Sequence, residues 1–209
     1  DFLEEFSIAQ ERYQQAEEIL GWSVKELSEE QGAHNLDITL YTQPALFTLS
    51  AIIAEILMSS KLEPVMVPGH SAGEYPAPVA ARAWDFETGL RVIAERARLM
   101  HDTQKQGMMA AVLNLDSYVI DNVCFMWQMG ILQPAAYNSP KQTVITGDKK
   151  SVESAIPLLK EQGARRVVPL ATSNAFHSPL MEDAQIKFAE FLNTIEIKKP
   201  EIPLVSNNT

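Results

Sequence analysis

Ser71 stands between two glycines in the stretch GHSAGEY, residues 69–75. The G-x-S-x-G spacing is typical of a nucleophile on a sharp turn between a strand and a helix, where the glycines allow the tight backbone path. Free amides and the dipole at the start of that helix would stabilise an oxyanion beside the serine hydroxyl. The stretch indicates a nucleophilic serine on a strand-to-helix elbow, and the alternative is a tight turn without chemistry.

A serine hydroxyl needs a base to become a good nucleophile, and the chain has four histidines. His34 and His101 lie in polar segments. His70 is adjacent to Ser71, and neighbouring residues around such a turn point apart, so we expect His70 to support the turn rather than to deprotonate the serine. His177 begins a predicted helix after a predicted strand, and it is the better candidate for the base.

The elements around Ser71 have the required order. The apolar run EPVMVPGHS predicts a strand buried on both faces, and AGEYPAPVAA predicts the helix that follows it. Before the strand, TQPALFTLSAIIAEILMSS predicts a buried helix that starts at Pro44. After the elbow, DFETGLRVIAERARLMHD predicts a helix capped by Asp85, with an apolar stripe along one side.

The pattern changes at about Gly107 to a β-α-β-β-α-β series of the ferredoxin-like type. The predicted strands are MMAAVLNL, LQPAAY, QTVITG and RRVVPL, and the predicted helices are SYVIDNVCFMWQMG and KKSVESAIPLLKEQG. The second helix ends at Gly163, and Pro157 within it implies a kink or a split. After Leu170 the chain returns to a helix and a last strand, IPLVSN.

These elements predict an α/β fold with two parts. An α/β-hydrolase-like parallel-sheet core with the serine elbow takes residues 1–106 and 172–209. An inserted ferredoxin-like α+β subdomain takes residues 107–171.

Composition narrows the class of protein. The chain has 209 residues, of which 46% are hydrophobic, and no apolar run approaches the 18 residues that suggest a membrane span. The formal charge of −10 argues against a nucleic-acid partner. The one cysteine, Cys124, lies in the apolar run VCFMW, so we expect a buried side chain rather than a reactive thiol. We therefore expect a cytoplasmic protein that binds neither nucleic acid nor membrane.

Several stretches together carry a resemblance to a known family. TQPALFTLSA, GHSAGEY, AERARLM, GMMAAVLNLD, YNSPKQTVITG and AFHSPLM occur in this order. The chain thereby resembles the malonyl-CoA:acyl carrier protein transacylases, including acyltransferase domains of polyketide synthases. The resemblance implies transfer of a malonyl group from malonyl-CoA to the carrier protein, in fatty acid or polyketide synthesis, with CoA thioester as substrate and no metal or prosthetic group.

The resemblance also implies roles for single residues. Ser71 would be acylated and His177 would be its base, while Arg96 would bind the free carboxylate of malonate. The remaining substrate-binding assignments are the pocket side chain of Gln43, the oxyanion-donating amide of Ala72, the elbow residue His70, and Asn138 of the YNSP stretch. Each has an alternative in local structure. Arg96 could belong to a solvated charged face, Gln43 could cap its helix, and Asn138 could form an ordinary turn.

The sequence departs from the family pattern in four places. Pro76 and Pro78 stand where the elbow helix normally continues, and Arg82 stands where a glycine usually ends that helix. The family's opening strand with a glycine-glutamine loop, and its last strand and helix, are not matched, so we expect both chain ends to be lacking here. Two other hypotheses remain open: a serine hydrolase or thioesterase on the same elbow, and a catalytically silent fragment that binds a carrier protein.

Overall fold

The computed structural model describes residues 5–29, 33–103, 107–172 and 174–207. The chain forms two compact units. The first unit contains residues 1–99 and 188–209, and the second contains residues 100–187. The predicted bounds at 1, 106 and 209 fall outside the described residues, and the predicted division at 107 and 171 stays a prediction.

The first unit is mainly helical. Its elements are α1 (Ser7–Leu20), α2 (Val24–Ser28), α3 (Thr39–Ser59), β1 (Val67–Pro68), α4 (Pro76–Ala80), α5 (Phe86–His101, ending in the second unit), the last part of α8 (Glu182–Leu192), and β6 (Leu204–Val205). Its largest core cluster joins buried side chains of α1, α2, α3 and α5. These are Ala16, Val24, Ala45, Phe47, Ala51, Phe86, Leu90 and Ile93.

One polar contact caps a helix of this unit, and another joins two of its helices. Asp85 precedes α5, and its Oδ1 accepts a hydrogen bond of 2.7 Å from the Thr88 amide, which confirms the predicted N-cap. Arg12 of α1 binds both carboxylate oxygens of Glu55 of α3, at 2.8 and 2.7 Å. Such a fork of parallel hydrogen bonds orients α1 on α3 more strictly than a single contact would.

The helix predicted from Pro44 begins five residues earlier, at Thr39. Proline lacks an amide proton, so Pro44 cannot donate to the Leu40 carbonyl. The turn before it still forms, because the amide and the hydroxyl of Thr42 both donate to the Ile38 carbonyl, at 3.0 and 2.9 Å. Proline therefore interrupts one hydrogen bond of α3 without setting its start.

Helix α3 is also less completely buried than predicted. One face is in the core, but Leu46, Leu49, Ile53 and Leu57 are exposed along another face, at 37–51%. Among the described residues α3 is long and apolar enough to cross a membrane by length and composition alone, with a mean hydropathy of 1.4 over its most apolar window. Polar residues interrupt α3, so it does not contradict the expectation that no apolar run approaches 18 residues, and a core helix meets the same test. Burial of one face and the Arg12–Glu55 contact account for α3 as a core helix.

The strand predicted before the elbow is much shorter than expected. Strand β1 has two residues and pairs in parallel with β6, in the register Val67 to Leu204. Val67 is buried, but Val65 is 84% exposed and Met66 is 53% exposed. Burial on both faces is therefore wrong for this segment, because Val67 is buried but its neighbour Pro68 in β1 is exposed.

The prolines after the elbow have a structural explanation. The chain makes a 3-10 turn at Ser71–Glu74, and a new helix, α4, starts at Pro76. Pro76 and Pro78 are in the first turn of α4, where amides have no acceptor within the helix, so the missing N–H groups remove no helical hydrogen bond. The two prolines therefore begin a new helix and do not interrupt a continuing elbow helix.

The second unit contains an antiparallel sheet with helices against it. Its elements are β2 (Met108–Leu113), α6 (Ser117–Phe125), β3 (Leu132–Ser139), β4 (Gln142–Gly147), α7 (Lys149–Glu161), β5 (Arg166–Pro169) and the start of α8. The sheet order is β3-β4-β2-β5. The predicted β-α-β-β-α-β succession is present, and the parallel and antiparallel sheets confirm the α/β class in its coarse form.

Two helices of this unit differ from their predictions. Helix α6 ends at Phe125 instead of Gly130, because the Trp127 amide donates to the Cys124 carbonyl at 3.2 Å and closes a turn. Helix α7 runs through Pro157 without a split. Pro157 is exposed, so water can reach the carbonyl that its missing amide leaves without a helical donor. Cys124 is buried as expected, and burial raises its pKa to about 12.

Asp148 joins the start of α7 to Ile131, the residue just before β3. Its Oδ1 accepts from the Ser151 amide at 3.0 Å, and its Oδ2 accepts from the Ile131 amide at 2.7 Å. Burial raises the pKa of this carboxyl, but the hydrogen bonds from Ser151 and Ile131 outweigh burial and hold the pKa below its ordinary value. The ionised form is the one that these donors stabilise.

Asp148→Ala is expected to lower the free energy of unfolding by about 1–2 kcal/mol near pH 7, because it removes a helix cap and a second amide acceptor. Folding lowers this pKa, so the contribution is present above the unfolded pKa of about 4 and is lost as the pH falls through the folded value. Denaturant unfolding at several pH values measures it. Asp116→Ala is the control, because Asp116 precedes α6 without a side-chain cap. Equal losses in both variants at pH 7 would contradict the capping role.

Arg82 follows α4 in a left-handed conformation, with φ of 59°, and pairs with Glu201 at 2.7 Å. Arg82→Gly is expected to be more stable than Arg82→Ala by about 0.5–1 kcal/mol, because both lose the ion pair and glycine alone relieves the Cβ strain. Denaturant unfolding of the two variants measures the difference. An alanine variant at least as stable as the glycine variant would show that this backbone is not strained.

Candidate active site

The elbow at Ser71 has the local geometry that the motif predicts. After β1 the backbone is extended at His70, with φ of −97° and ψ of 115°, and then turns left-handed at Ser71, with φ of 50°. The Gly73 amide donates to the His70 carbonyl at 2.9 Å and closes the 3-10 turn. His70 thus supports the turn through its backbone, while its side chain is exposed.

The two glycines of the motif have different roles. A Cβ at Gly69 would lie 2.1 Å from the Gly73 carbonyl oxygen, a distance at which the backbone would have to move. A Cβ at Gly73 would meet no atom within 4 Å. Close backbone approach therefore requires glycine at Gly69, whereas the surroundings of Gly73 leave room for a side chain.

Asn207 is a residue that the sequence reasoning missed. Its Nδ2 donates to the Gly69 carbonyl at 2.5 Å, and its Oδ1 accepts from the Ser71 amide at 3.4 Å. Its own amide donates to Glu74 Oε1 at 2.9 Å. Asn207 follows β6, the parallel neighbour of β1. The rule that carboxyl ends of parallel strands meet at one edge of a sheet was the signal that could have found it.

Ala72 occupies the second position of the 3-10 turn. Amides at this position have no acceptor within their own turn, which is the property an oxyanion donor needs. The side chain packs against the core cluster formed by α1, α3 and α5. The role of the Ala72 amide as an oxyanion donor stays a prediction.

Arg96 and Gln43 lie in contact within the first unit. Arg96 Nη1 donates to Gln43 Oε1, and Gln43 Nε2 donates to the Thr39 hydroxyl at 2.7 Å. Gln43 is 5% exposed, and Arg96 is partly buried on α5. The Arg96 guanidinium also lies over the Tyr75 ring, 5.2 Å from its centroid. The structure therefore joins two predicted site residues, one on α3 and one on α5.

The partners of Arg96 distinguish it from the other arginines of α5. Arg91 pairs with Glu87 at 2.9 Å, and Arg98 pairs with Glu95 at 2.6 Å. Across the described ranges no carboxylate pairs with Arg96, whose contacts are an amide oxygen and an aromatic ring. Arg91 and Arg98 therefore belong to a solvated face of ion pairs, and Arg96 does not.

Tyr75 is a second residue that received no role from the sequence. It lies four positions after Ser71, and its ring centroid is 5.9 Å from that of Phe188. Burial raises the pKa of the Tyr75 hydroxyl, and the nearby Arg96 charge acts in the opposite direction. The hydroxyl therefore stays neutral at physiological pH. An aromatic residue one turn beyond the serine was the available signal.

His177 and Asn138 lie in the second unit. His177 is exposed and left-handed, with φ of 58°, and its carbonyl accepts from Gln133 Nε2 at 2.8 Å. Asn138 lies in β3 at an irregularity between Tyr137 and Ser139, rather than in the predicted turn beyond the strand. The pairing of His177 with a serine of the first unit and the substrate contact of Asn138 stay predictions.

Comparison with known proteins gives one consistent family. The family of the acyl transferase domain matches residues 6–209. A malonyl CoA-acyl carrier protein transacylase of Synechocystis is 40% identical over 201 residues, which cover 96% of this chain and 66% of the relative. The solved structure of MCAT from Streptococcus pneumoniae is 38% identical, with a TM-score of 0.89, over 99% of this chain and 68% of that one.

A second solved structure contains a partner. It is a type II polyketide synthase acyl-carrier protein in complex with its malonyl-transacylase, 34% identical to this chain, with a TM-score of 0.93 and coverage of 99% of this chain and 68% of that one. The chain spans about two thirds of the length of these relatives. It belongs to the malonyl CoA-acyl carrier protein transacylase family of acyl transferase domains.

Proposed function

We propose that this chain carries the catalytic site of an acyltransferase that moves a malonyl group from malonyl-CoA to the phosphopantetheine thiol of an acyl carrier protein. The names of its relatives support this reaction, and one relative was solved with a carrier protein. Fatty acid and polyketide synthesis both use this step, and relatives named for polyketide synthesis are among the matches. Malonyl-CoA and an acyl carrier protein are the proposed partners, without nucleic acid or membrane.

The observation that carries the proposal is the environment of Arg96. A partly buried guanidinium normally needs an anionic partner, because its desolvation is costly. Arg96 has neutral partners in Gln43 and Tyr75, so donors of its planar fork can turn to a ligand. The carboxylate of a malonyl group matches that fork with two parallel hydrogen bonds. An acetyl group has no such carboxylate and would leave the charge uncompensated.

The proposed reaction has two halves. Ser71 Oγ attacks the thioester carbonyl while His177 takes its proton; the C–S bond then breaks, and CoA leaves as a thiol with that proton. In the second half His177 takes the proton of the carrier-protein thiol, whose sulfur attacks the malonyl ester. The C–O bond breaks and the proton returns to Ser71. A base of this kind contributes roughly 100- to 10,000-fold to such steps.

The remaining parts of the site have supporting roles in the proposal. The Ala72 amide stabilises the oxyanion, and one such donor contributes about 3 kcal/mol. Gln43 orients Arg96, His70 supports the elbow, and Asn138 contacts substrate. The steps use CoA thioester as substrate and no metal or prosthetic group. We also propose a cytoplasmic location, and we propose that the β1–β6 pair belongs to an α/β-hydrolase-like core.

The two other hypotheses explain less of the site. A serine hydrolase needs the elbow at Ser71 but no guanidinium directed at an acyl carboxylate, so Arg96 favours the transferase. A silent fragment needs neither the left-handed Ser71 nor the Asn207 contacts that hold it. Backbone strain of about 1–3 kcal/mol per residue is found mainly at functional sites.

Incubation with malonyl-CoA is expected to add one malonyl group to Ser71, which intact mass spectrometry and peptide mapping detect. Addition of holo carrier protein is expected to remove the group from Ser71 and to place it on the carrier thiol. Ser71→Ala is expected to lose the adduct, because it lacks the attacking oxygen. Release of free malonate without transfer would favour a hydrolase, and a lack of any adduct would favour a silent fragment.

Arg96→Ala is expected to lower malonyl loading of Ser71 at least about 100-fold and to spare or improve acetyl loading, because it removes a bidentate charged contact. Loading rates with malonyl-CoA and acetyl-CoA measure this selectivity. Arg91→Ala removes an arginine of the same helix that is already paired with Glu87, and its selectivity should equal that of the unmodified protein. Unchanged selectivity in Arg96→Ala would remove the proposed role.

A further inference from the structure

The backbone of His177 adopts a conformation that has to be held. Its φ of 58° is left-handed, a region that costs a residue with a Cβ about 1–2 kcal/mol. The segment before it is anchored within the second unit. Asn174 Nδ2 donates to the Met100 carbonyl at 2.7 Å, and Ala175 is fully buried. A Cβ at Gly107 would lie 2.3 Å from the Ala175 Cβ, so this segment has little space to shift.

The segment after His177 is fixed as well. The Ser178 hydroxyl donates to the Ala175 carbonyl at 2.6 Å and accepts from the Leu180 amide at 3.2 Å. This second contact caps the short 3-10 turn at Pro179–Met181. The exposed imidazole of His177 therefore projects from a backbone that is held on both sides.

The His177 peptide group is contacted from another element of the second unit. Gln133 Nε2 donates to the His177 carbonyl at 2.8 Å. Gln133 lies in β3, and it pairs with Thr146 of the neighbouring strand β4. The donor therefore belongs to a strand that is itself paired with β4. Its hydrogen bond fixes the orientation of the peptide group that follows the His177 Cα.

We propose that Gln133 is a positioning residue for His177. By holding the His177 carbonyl, it keeps the left-handed backbone and thereby the direction in which the Cα–Cβ bond and the imidazole point. This role rests on the proposed function of His177 as the base. Gln133 belongs to the antiparallel sheet of the second unit. It contacts the proposed base through the backbone and takes no part in making or breaking bonds.

Gln133→Leu removes the donor at similar side-chain size, and Gln133→Glu replaces it with an oxygen that cannot donate when ionised. Both are expected to slow malonyl loading of Ser71 about 10- to 100-fold, because small displacements of a catalytic group have effects of this size. The malonyl-CoA concentration at half-saturation and the thermal midpoint should not change. Gln128→Leu, which alters an exposed glutamine of the same unit, should load at the unmodified rate.

A double variant separates positioning from general stability. In a His177→Ala background the imidazole is absent, so Gln133→Leu should cause no further loss of loading. A full 10- to 100-fold loss in that background would overturn the proposal, and so would equal loading rates of Gln133→Leu and the unmodified protein.

A second measurement does not depend on activity. NMR of the histidine ring nitrogens is expected to show shifted or broadened His177 signals in Gln133→Leu and unchanged signals in Gln128→Leu. Identical His177 signals in Gln133→Leu and the unmodified protein would overturn positioning even if no loading occurs. Failure of the unmodified protein to form the Ser71 adduct would instead count against the proposed function.

Discussion

The guanidinium of Arg96 carries a positive charge into a partly buried position among neutral groups. Gln43 holds one side of it through an amide oxygen, and the Tyr75 ring lies under it. This arrangement needs α3, α5 and the end of the elbow turn to meet, and the core cluster that packs α3 against α5 provides that meeting. In the proposed function, specificity for a diacid half-thioester follows from charge compensation at Arg96 rather than from pocket size.

The proposed nucleophile, Ser71, depends on a second constraint, the close approach of Gly69 to the Gly73 carbonyl. This contact folds the chain tightly enough to turn Ser71 left-handed, and Asn207 clamps the turn from the neighbouring strand. His177 is also left-handed. The described chain has five left-handed non-glycine residues, and the other three, Lys61, Arg82 and Asn114, follow a helix or a strand. Strain at Ser71 and His177 therefore supports a functional role only together with the contacts that hold these two residues.

Local signals in the sequence were sufficient for much of this structure. Asp85 marked the start of α5 because a cap and an apolar stripe coincide there, and the succession of strands and helices in the second unit was predicted correctly. Failures arose where distant contacts decide. The sequence predicted Pro44 as the start of α3, but the Thr42 contacts with Ile38 form a turn before it. The sequence also predicted that Val65 and Met66 are buried in a strand, but the pairing with β6 includes only the two residues that follow them.

The candidate site shows the same difference between residues with local sequence signals and residues that depend on distant contacts. Ser71, Arg96 and Gln43 were identified by motif and resemblance, but Asn207 and Tyr75 were not. Their contacts come from a strand pairing between residues far apart in sequence and from the stacking of Arg96 of α5 over Tyr75, the residue between the elbow turn and α4. Neither contact leaves a periodic pattern in the sequence. A single polar or aromatic residue at the end of a strand or helix does not indicate which distant residue it contacts.

The most direct measurement is a crystal structure of the protein acylated at Ser71 after exposure to malonyl-CoA. The expected result is a malonyl carboxylate bound by Arg96 through two parallel N–O contacts of about 2.7–2.9 Å, with the Gln43 contact kept or exchanged. A malonyl group attached to Ser71 with its carboxylate in solvent, and an Arg96 guanidinium still engaged with Gln43 and Tyr75 alone, would contradict the central role of this charge.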